Sequence, residues 1–172
     1  MMKKFNKYAF KKYDKKFIEL YKQEKMRLLN ILPKKISLEH IGSTAVSGLG
    51  GKGIIDIIIG VNKSQTKSIK NKLIKFKYRF YGDSPEGNER LFFEKDYKIN
   101  RGIKRFHIQL TWRNSKIWKN ALKFRDILRG NPEIVREYER IKKKAVKFAK
   151  GEGARYRAYK AKFIQNLIKE KK

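Results

Sequence analysis

The 172-residue sequence predicts a single α/β domain, of the α+β kind, in which a small mixed sheet is flanked by helices and followed by a C-terminal helical layer. Three observations predict it. Apolar residues recur at three- and four-residue intervals in several separate segments, the period of one buried helix face. Shorter segments between them alternate apolar with polar residues or run continuously apolar, as half-buried and fully buried strands do. No internal repeat, low-complexity linker or domain boundary interrupts the chain, so residues 1–172 read as one domain with one core.

From Lys12 to Leu32, Phe17, Leu20, Tyr21, Leu28, Ile31 and Leu32 mark a helix with a lysine-rich outer face, closed by Pro33. A short strand over Lys35 to Ile41 follows, then a Gly-Ser turn, a glycine-rich loop and a strand over Ile54 to Val61. Strand, loop, strand places that loop at a sheet edge. Lys63 to Phe76 reads as a second helix, with strands at Tyr78 to Tyr81 and Arg90 to Phe93 separated by a turn-rich loop carrying Asp83, Glu86 and Glu89. Over Ile103 to Trp112 the alternation points Phe106, Ile108 and Leu110 to one face and Arg105, His107, Gln109 and Thr111 to the other. Ser115 caps a helix to about Arg129 with Ile117, Ala121, Phe124 and Leu128 in one stripe. Asn131 caps the next, with Pro132 at its first position and a stripe of Ile134, Tyr138, Ile141, Ala145 and Phe148. Gly151-Glu152-Gly153 stops it before a last helix containing Tyr156, Tyr159 and Phe163.

Lys plus Arg number 46 against 16 Asp plus Glu, a formal charge of +30, so the surface attracts polyanions. Nucleic acid or nucleotide phosphate is the first partner class. Seven lysines or arginines between Val61 and Tyr81, with no carboxylate among them, form a block better suited to a polyanion than the average lysine. The chain has no cysteine, which excludes disulfides, thiolate zinc sites and a cysteine nucleophile. A basic N-terminus without an apolar run, and no apolar stretch near the roughly 18 residues of a membrane span, predict a soluble cytoplasmic protein with no membrane partner.

The segment from His40 to Val61 has the order that a phosphate and metal site needs. Glycines admit an anion close to the backbone, Lys52 adds a compact positive charge, and Asp56 stands in an apolar strand where an isolated carboxylate requires a partner. That partner is a ligand, a neighbouring backbone group that Asp56 caps, or a buried arginine such as Arg125. A two-metal transfer centre holds its ions about 4 Å apart with two or three carboxylates. Position 58, two residues on and on the same face as Asp56, is isoleucine. The residues still assemble a candidate site: Asp56 and His107 sharing one divalent ion or one proton, Glu39 as a further carboxylate if its strand faces Asp56, Lys52 and Ser43 on phosphate oxygens, and Arg105 or Arg125 as a clamp.

The stretch LEHIGSTAVSGLGGKGIIDIIIGV resembles the signature of the GrpB-like family, a group placed in the nucleotidyltransferase superfold. KYDKKFIELYKQEKMRLLNIL, ERLFFEK, RFHIQL and FRDILRGNPEIVREYERIKKKAVK resemble its other blocks in matching order, covering nearly the whole chain. The resemblance implies a nucleotidyltransferase-like mixed sheet, with Gly42 and Ser43 contacting a triphosphate and Asp56 as the first member of an Asp-x-Asp pair that binds Mg2+ or Mn2+. It also implies His-x-His on a neighbouring strand, where this chain has His107 but Gln109. The expected activity is binding of a nucleotide or phosphorylated small molecule, with metal-dependent nucleotidyl or phosphoryl transfer to an acceptor. The competing expectation is a non-catalytic module that binds RNA or nucleotides on the same fold; a third is a polyanion-binding accessory protein.

Overall fold

A computed structural model describes residues 10–84, 87–100 and 102–170. Helix α1 (Lys16–Ile31) is followed by β1 (Ser37–Ile41), the glycine loop, β2 (Ile55–Val61), α2 (Thr66–Lys75), β3 (Arg79–Ser84), β4 (Gly87–Ile99), β5 (Gly102–Trp112), α3 (Lys116–Gly130), α4 (Pro132–Ala149) and α5 (Gly153–Glu170). The five strands form one mixed sheet in the order β1-β2-β5-β4-β3, with β2 parallel to β5 and the other pairs antiparallel. The mixed α+β architecture expected from the periodicities is the one found.

β2 lies between β1 and β5, which explains its continuous apolar run. Ile55, Ile57, Ile58 and Ile59 are all fully buried, and each contributes about 1.5 to 3 kcal/mol relative to exposure. Its odd-numbered residues join Phe93, Phe106, Ile108 and Leu110 in a core closed by Phe17 and Leu28 of α1 and Ile69 and Leu73 of α2. Both of those helices therefore cover the face of the sheet opposite Asp56. A second cluster joins Val46 and Leu49 of the glycine loop to Leu128, Val135, Tyr138 and Leu167 of the C-terminal helices.

The differences from the sequence reading have local causes. α1 begins at Lys16 because the Asp14 carboxylate accepts the Lys16 N–H at 2.9 Å. The turn-prone stretch after Tyr81 is largely a hairpin: β3 and β4 pair through it, with register shifts around Gly82, whose φ is +88°. Glu86 lies outside the described residues. β4 runs on through Glu94, Asp96 and Ile99, paired with β5 along its length. Asn131 stands at the N-cap of α4 with Pro132 after it, as expected, but its side chain makes no capping bond; the amide donates back to the Ile127 carbonyl at 2.6 Å. Ser115 does cap α3, accepting the Trp118 N–H at 3.0 Å. The buried stripe of α4 is Val135, Tyr138, Lys142, Ala145 and Ala149, while Phe148 is exposed. The helix is thus turned from the expected stripe, and a lysine stands in its packed face.

Candidate functional site

Register decides which side chains meet Asp56. Across β5 it pairs with His107, and Ile58 pairs with Glu39 on β1 and Gln109 on β5. Directly paired residues share a face, so Glu39, Asp56, His107 and Gln109 all lie on the side of the sheet away from α1 and α2. β4 adds Glu94, opposite His107, and Asp96, opposite Arg105.

His107 sits between two carboxylates. Its Nδ1 is 3.1 Å from Asp56 Oδ1, and its buried Nε2, which lacks a well-formed hydrogen bond, faces Glu94 Oε2 at 3.4 Å. Burial pulls the imidazole pKa down, but Asp56 and Glu94 outweigh it and hold His107 above the ordinary histidine value. The ring thus lies with one nitrogen toward each carboxylate. Glu94, only 4% exposed, also meets Arg79 and, at 3.2 Å, Arg105. Its pKa falls because burial, which would raise it, is exceeded by His107, Arg79 and Arg105. Arg105 grips both oxygens of Asp96 at 2.8 Å, and Arg90 donates to Gln109 Oε1 at 3.0 Å. A ladder of alternating charge runs from Asp56 across β5 and β4.

The glycine loop lies beside Asp56 and is fastened from several elements. Gly42 has φ +73°, and a Cβ there would stand 2.5 Å from Asp56 Oδ2, so only glycine allows the turn to lie against that carboxylate. His40 orients the turn. Thr44 Oγ1 donates to the Ile54 carbonyl at 3.1 Å and so accepts from His40 Nε2 at 3.0 Å. Burial drives the His40 pKa down to about 4, which leaves the ring neutral. Arg129 donates to the Ala45 carbonyl at 3.0 Å. The Gly50 amide donates to Glu139 at 3.1 Å and the Gly51 amide to the Lys11 carbonyl at 2.8 Å. These two loop amides are engaged within the protein.

Three lysines converge on this loop. Lys142 of α4 is 3% exposed and donates to the Gly50 carbonyl. A Cβ built at Gly51 would lie 2.5 Å from both Lys142 Nζ and Ser43 Oγ, which places the ammonium and the hydroxyl on either side of one point. Lys52 Nζ and Lys160 Nζ lie over the ring of buried Tyr156, at 4.6 and 4.2 Å from its centroid. Burial first, then Lys160, lowers the Lys142 pKa to about 7, against opposing pulls from Asp56 and Glu139; burial and Lys52 lower Lys160 to about 8. In both lysines burial is the larger cause and the neighbouring ammonium the second.

The structure therefore joins Gly42, Ser43, Asp56 and His107, with Lys52 at the margin beside Tyr156. Arg105 and Arg125, expected as phosphate clamps, are engaged by carboxylates instead. Arg125 binds Asp126 and donates to Glu39 Oε2 at 2.7 Å and to the His40 carbonyl at 3.2 Å. Glu39, expected as a metal carboxylate, is thereby drawn toward α3. No group of three His, Cys, Asp or Glu able to hold a metal ion is assembled among the described residues. With Ile58 apolar, Glu39 on Arg125 and both His107 nitrogens facing carboxylates, the donor set does not fit a two-ion centre.

Sequence reasoning missed Lys142, Lys160 and Glu94. A signal existed for the first: Lys142 follows Tyr138 by four residues and precedes Ala145 by three, inside the packed stripe. Lys160 likewise follows Tyr156 by four. Glu94 became visible only once β4 was known to extend opposite His107.

No described helix is long and apolar enough to cross a membrane. The family model for the GrpB protein matches residues 7–170. The BH1888 protein of Halalkalibacterium halodurans is 30% identical over 161 residues, 91% of this chain and 78% of that one. The glutamate-rich protein GrpB of Alkalihalophilus pseudofirmus is 25% identical over 88% of each chain, whereas this chain spans 37% of the length of YqkA of Bacillus subtilis. The crystal structure of GrpB from Enterococcus faecalis superimposes with a TM-score of 0.78 at 27% identity, over 94% of this chain and 96% of that one.

Proposed function

This chain belongs to the GrpB family, and on that premise we propose that the glycine loop beside Asp56 binds a nucleotide or another phosphorylated small molecule. The observation that carries the reading is the convergence of Lys52, Lys142, Lys160 and Ser43 on one loop opposite Asp56. The lysines neutralise phosphate oxygens, with Ser43 donating a hydrogen bond where Gly51 leaves room. Asp56 presents Oδ2 toward Gly42 while Oδ1 is held by His107.

In the enzymatic form of this reading, the site transfers a nucleotidyl or phosphoryl group. A hydroxyl of the acceptor attacks phosphorus, the bond to the departing phosphate oxygen breaks, and Asp56 takes the acceptor's proton. His107, held between Asp56 and Glu94, positions Asp56; Gly42 keeps the approach to it open. A single Mg2+ or Mn2+ accompanying the phosphate chain would be held by Asp56 and would supply charge neutralisation on that chain.

The test is incubation of purified protein with each nucleoside triphosphate, Mg2+ or Mn2+ and a cellular extract. Release of pyrophosphate or labelling of an acceptor, abolished by Asp56→Asn, supports transfer. Absence of turnover with nucleotide binding retained leaves the non-catalytic module; absence of both binding and turnover refutes the reading.

One observation favours a second reading. On the opposite side of the sheet, Lys67, Lys72 and Lys75 of α2 line a shallow groove with Ser64, Ser68 and Asn71. This surface suits RNA phosphates.

A further inference from the structure

Gln109 stands where the resemblance implies a second histidine, and its surroundings give it a different use. It is half-buried on β5, paired in register with Phe92 on β4. Arg90 donates to its Oε1 at 3.0 Å. A guanidinium has no acceptor, so the amide is fixed with its oxygen toward Arg90 and its Nε2 hydrogens turned elsewhere as donors. Beside it, Phe92 meets His107 edge-on with ring centroids 4.9 Å apart, and Tyr81 lies 6.2 Å from Phe92. Tyr81 is 59% exposed, and its hydroxyl reaches toward Glu94 Oε1 at 3.4 Å. A row of rings therefore leads from solvent to the histidine that holds Asp56. Phe10 against Gly50, and Tyr159 packed on Phe148 at 5.3 Å, belong instead to the loop and the α4 and α5 hairpin that carry the lysines.

The charges around these rings are matched, with Arg79 and Arg105 shared between Glu94 and Asp96. In a chain of net charge +30 this zone offers little to a phosphate and suits an uncharged planar group, held by stacking and by an amide donor at its edge. Its place matters as well. Asp56 turns Oδ2 to Gly42 and the loop and Oδ1 to His107 and this face, so the lysines and the rings flank it from opposite sides. Phosphoryl transfer sets the attacking and departing oxygens roughly in line across phosphorus. A nucleoside joins a planar face, an acceptor-bearing edge and a hydroxyl in one neutral molecule. We propose that Tyr81, Phe92 and Gln109 seat the acceptor, and that the acceptor is a nucleoside whose base stacks on Tyr81, accepts from Gln109 Nε2 and directs a ribose hydroxyl toward Asp56. This inference rests on the phosphate-binding and transfer reading proposed above.

The experiment is an NMR titration of the full chain with adenosine, cytidine and uridine, which carry no phosphate, in the absence and presence of saturating inorganic tripolyphosphate. The Tyr81 ring and Gln109 side-chain amide signals are expected to shift, with affinities that agree within about twofold under the two conditions. Tyr81→Ala is expected to weaken nucleoside binding by about fivefold to a hundredfold, the worth of one stacked base, whereas Tyr81→Phe keeps the ring and stays within about twofold. Gln109→Glu keeps a partner for Arg90 but removes the donor, and is expected to weaken binding by about threefold to tenfold. Circular dichroism confirms that the variants fold. Nucleosides that do not bind, that displace tripolyphosphate, or that bind Tyr81→Ala and Gln109→Glu as well as the wild type overturn the inference while leaving phosphate binding intact. Failure of tripolyphosphate itself to bind refutes the proposed function, and the acceptor assignment falls with it.

Discussion

Replacing Lys142 by methionine is expected to stabilise the ligand-free protein at neutral pH while removing its affinity for phosphate. The ammonium is 3% exposed, and burial with the neighbouring Lys160 lowers its pKa from 10.5 to about 7. At pH 7 that displacement corresponds to roughly 4 kcal/mol by which the folded state disfavours a proton the unfolded chain keeps. Methionine removes this term and keeps most of the side-chain volume. It also leaves the Gly50 carbonyl without its donor, which costs about 1 to 3 kcal/mol. The net gain is about 2 kcal/mol, or about 4 to 8 °C in Tm for a chain of this size. The sign depends on pH. Between about 7 and 10.5 the unfolded state binds more protons at this position, so the wild type recovers stability as pH rises and loses it as pH falls through 7. At pH 10 the advantage of the variant is gone and the lost carbonyl bond leaves it about 1 kcal/mol less stable. Thermal unfolding in phosphate-free buffer at pH 7 and pH 10 reads both values. A variant that is destabilised at pH 7, or whose gain is equal at both pH values, refutes the account of Lys142 as a strained cation awaiting an anion.

Phosphate binding itself should weaken with pH: because Lys142 and Lys160 titrate near 7 and 8, affinity for tripolyphosphate is steady below about pH 6.5 and falls by up to about tenfold per pH unit for each lysine above its pKa. A calorimetric series from pH 6 to 9 showing no decline contradicts this. Gly51→Ala places a methyl group 2.5 Å from Lys142 Nζ and Ser43 Oγ, so it should cost about 1 to 3 kcal/mol of stability and weaken tripolyphosphate binding; retention of full affinity contradicts the packed arrangement. Glu94→Gln removes one of the two carboxylates facing His107, and the histidine pKa, followed by NMR titration, should fall toward or below its ordinary value; no change would show that Asp56 alone holds the proton. Charge reversal at Lys67, Lys72 and Lys75 should abolish salt-sensitive RNA binding and leave tripolyphosphate affinity within about twofold; loss of both by the folded variant would mean the two surfaces act as one.

The order and type of most elements were legible because their periods are strong, with β2 marked by its isoleucines and β5 by alternation. β4 was cut short because Glu94-Lys95-Asp96 looks too polar for a strand interior. Its residues alternate between the core and a charged face, and the charges are satisfied by Arg79 and Arg105, which are distant in sequence. The site was legible where chemistry and local order coincide, at Gly42, Ser43, Lys52 and Asp56. It was not legible where a charge sits in a packed stripe, as at Lys142 and at Glu24, which is fully buried against Tyr78 and Tyr97. Periodicity arguments assign such positions to solvent by residue type. Only the tertiary neighbours reveal that Arg125 is held by Glu39 while the lysines of α4 and α5 face the loop.

The most direct test of the central claim is a crystal structure of the protein grown with tripolyphosphate. The anion is predicted at the glycine loop, in contact with Ser43 Oγ and the ammoniums of Lys142 and Lys160, with Asp56 beside it. An empty loop site with the anion bound instead along the lysines of α2 would contradict the account.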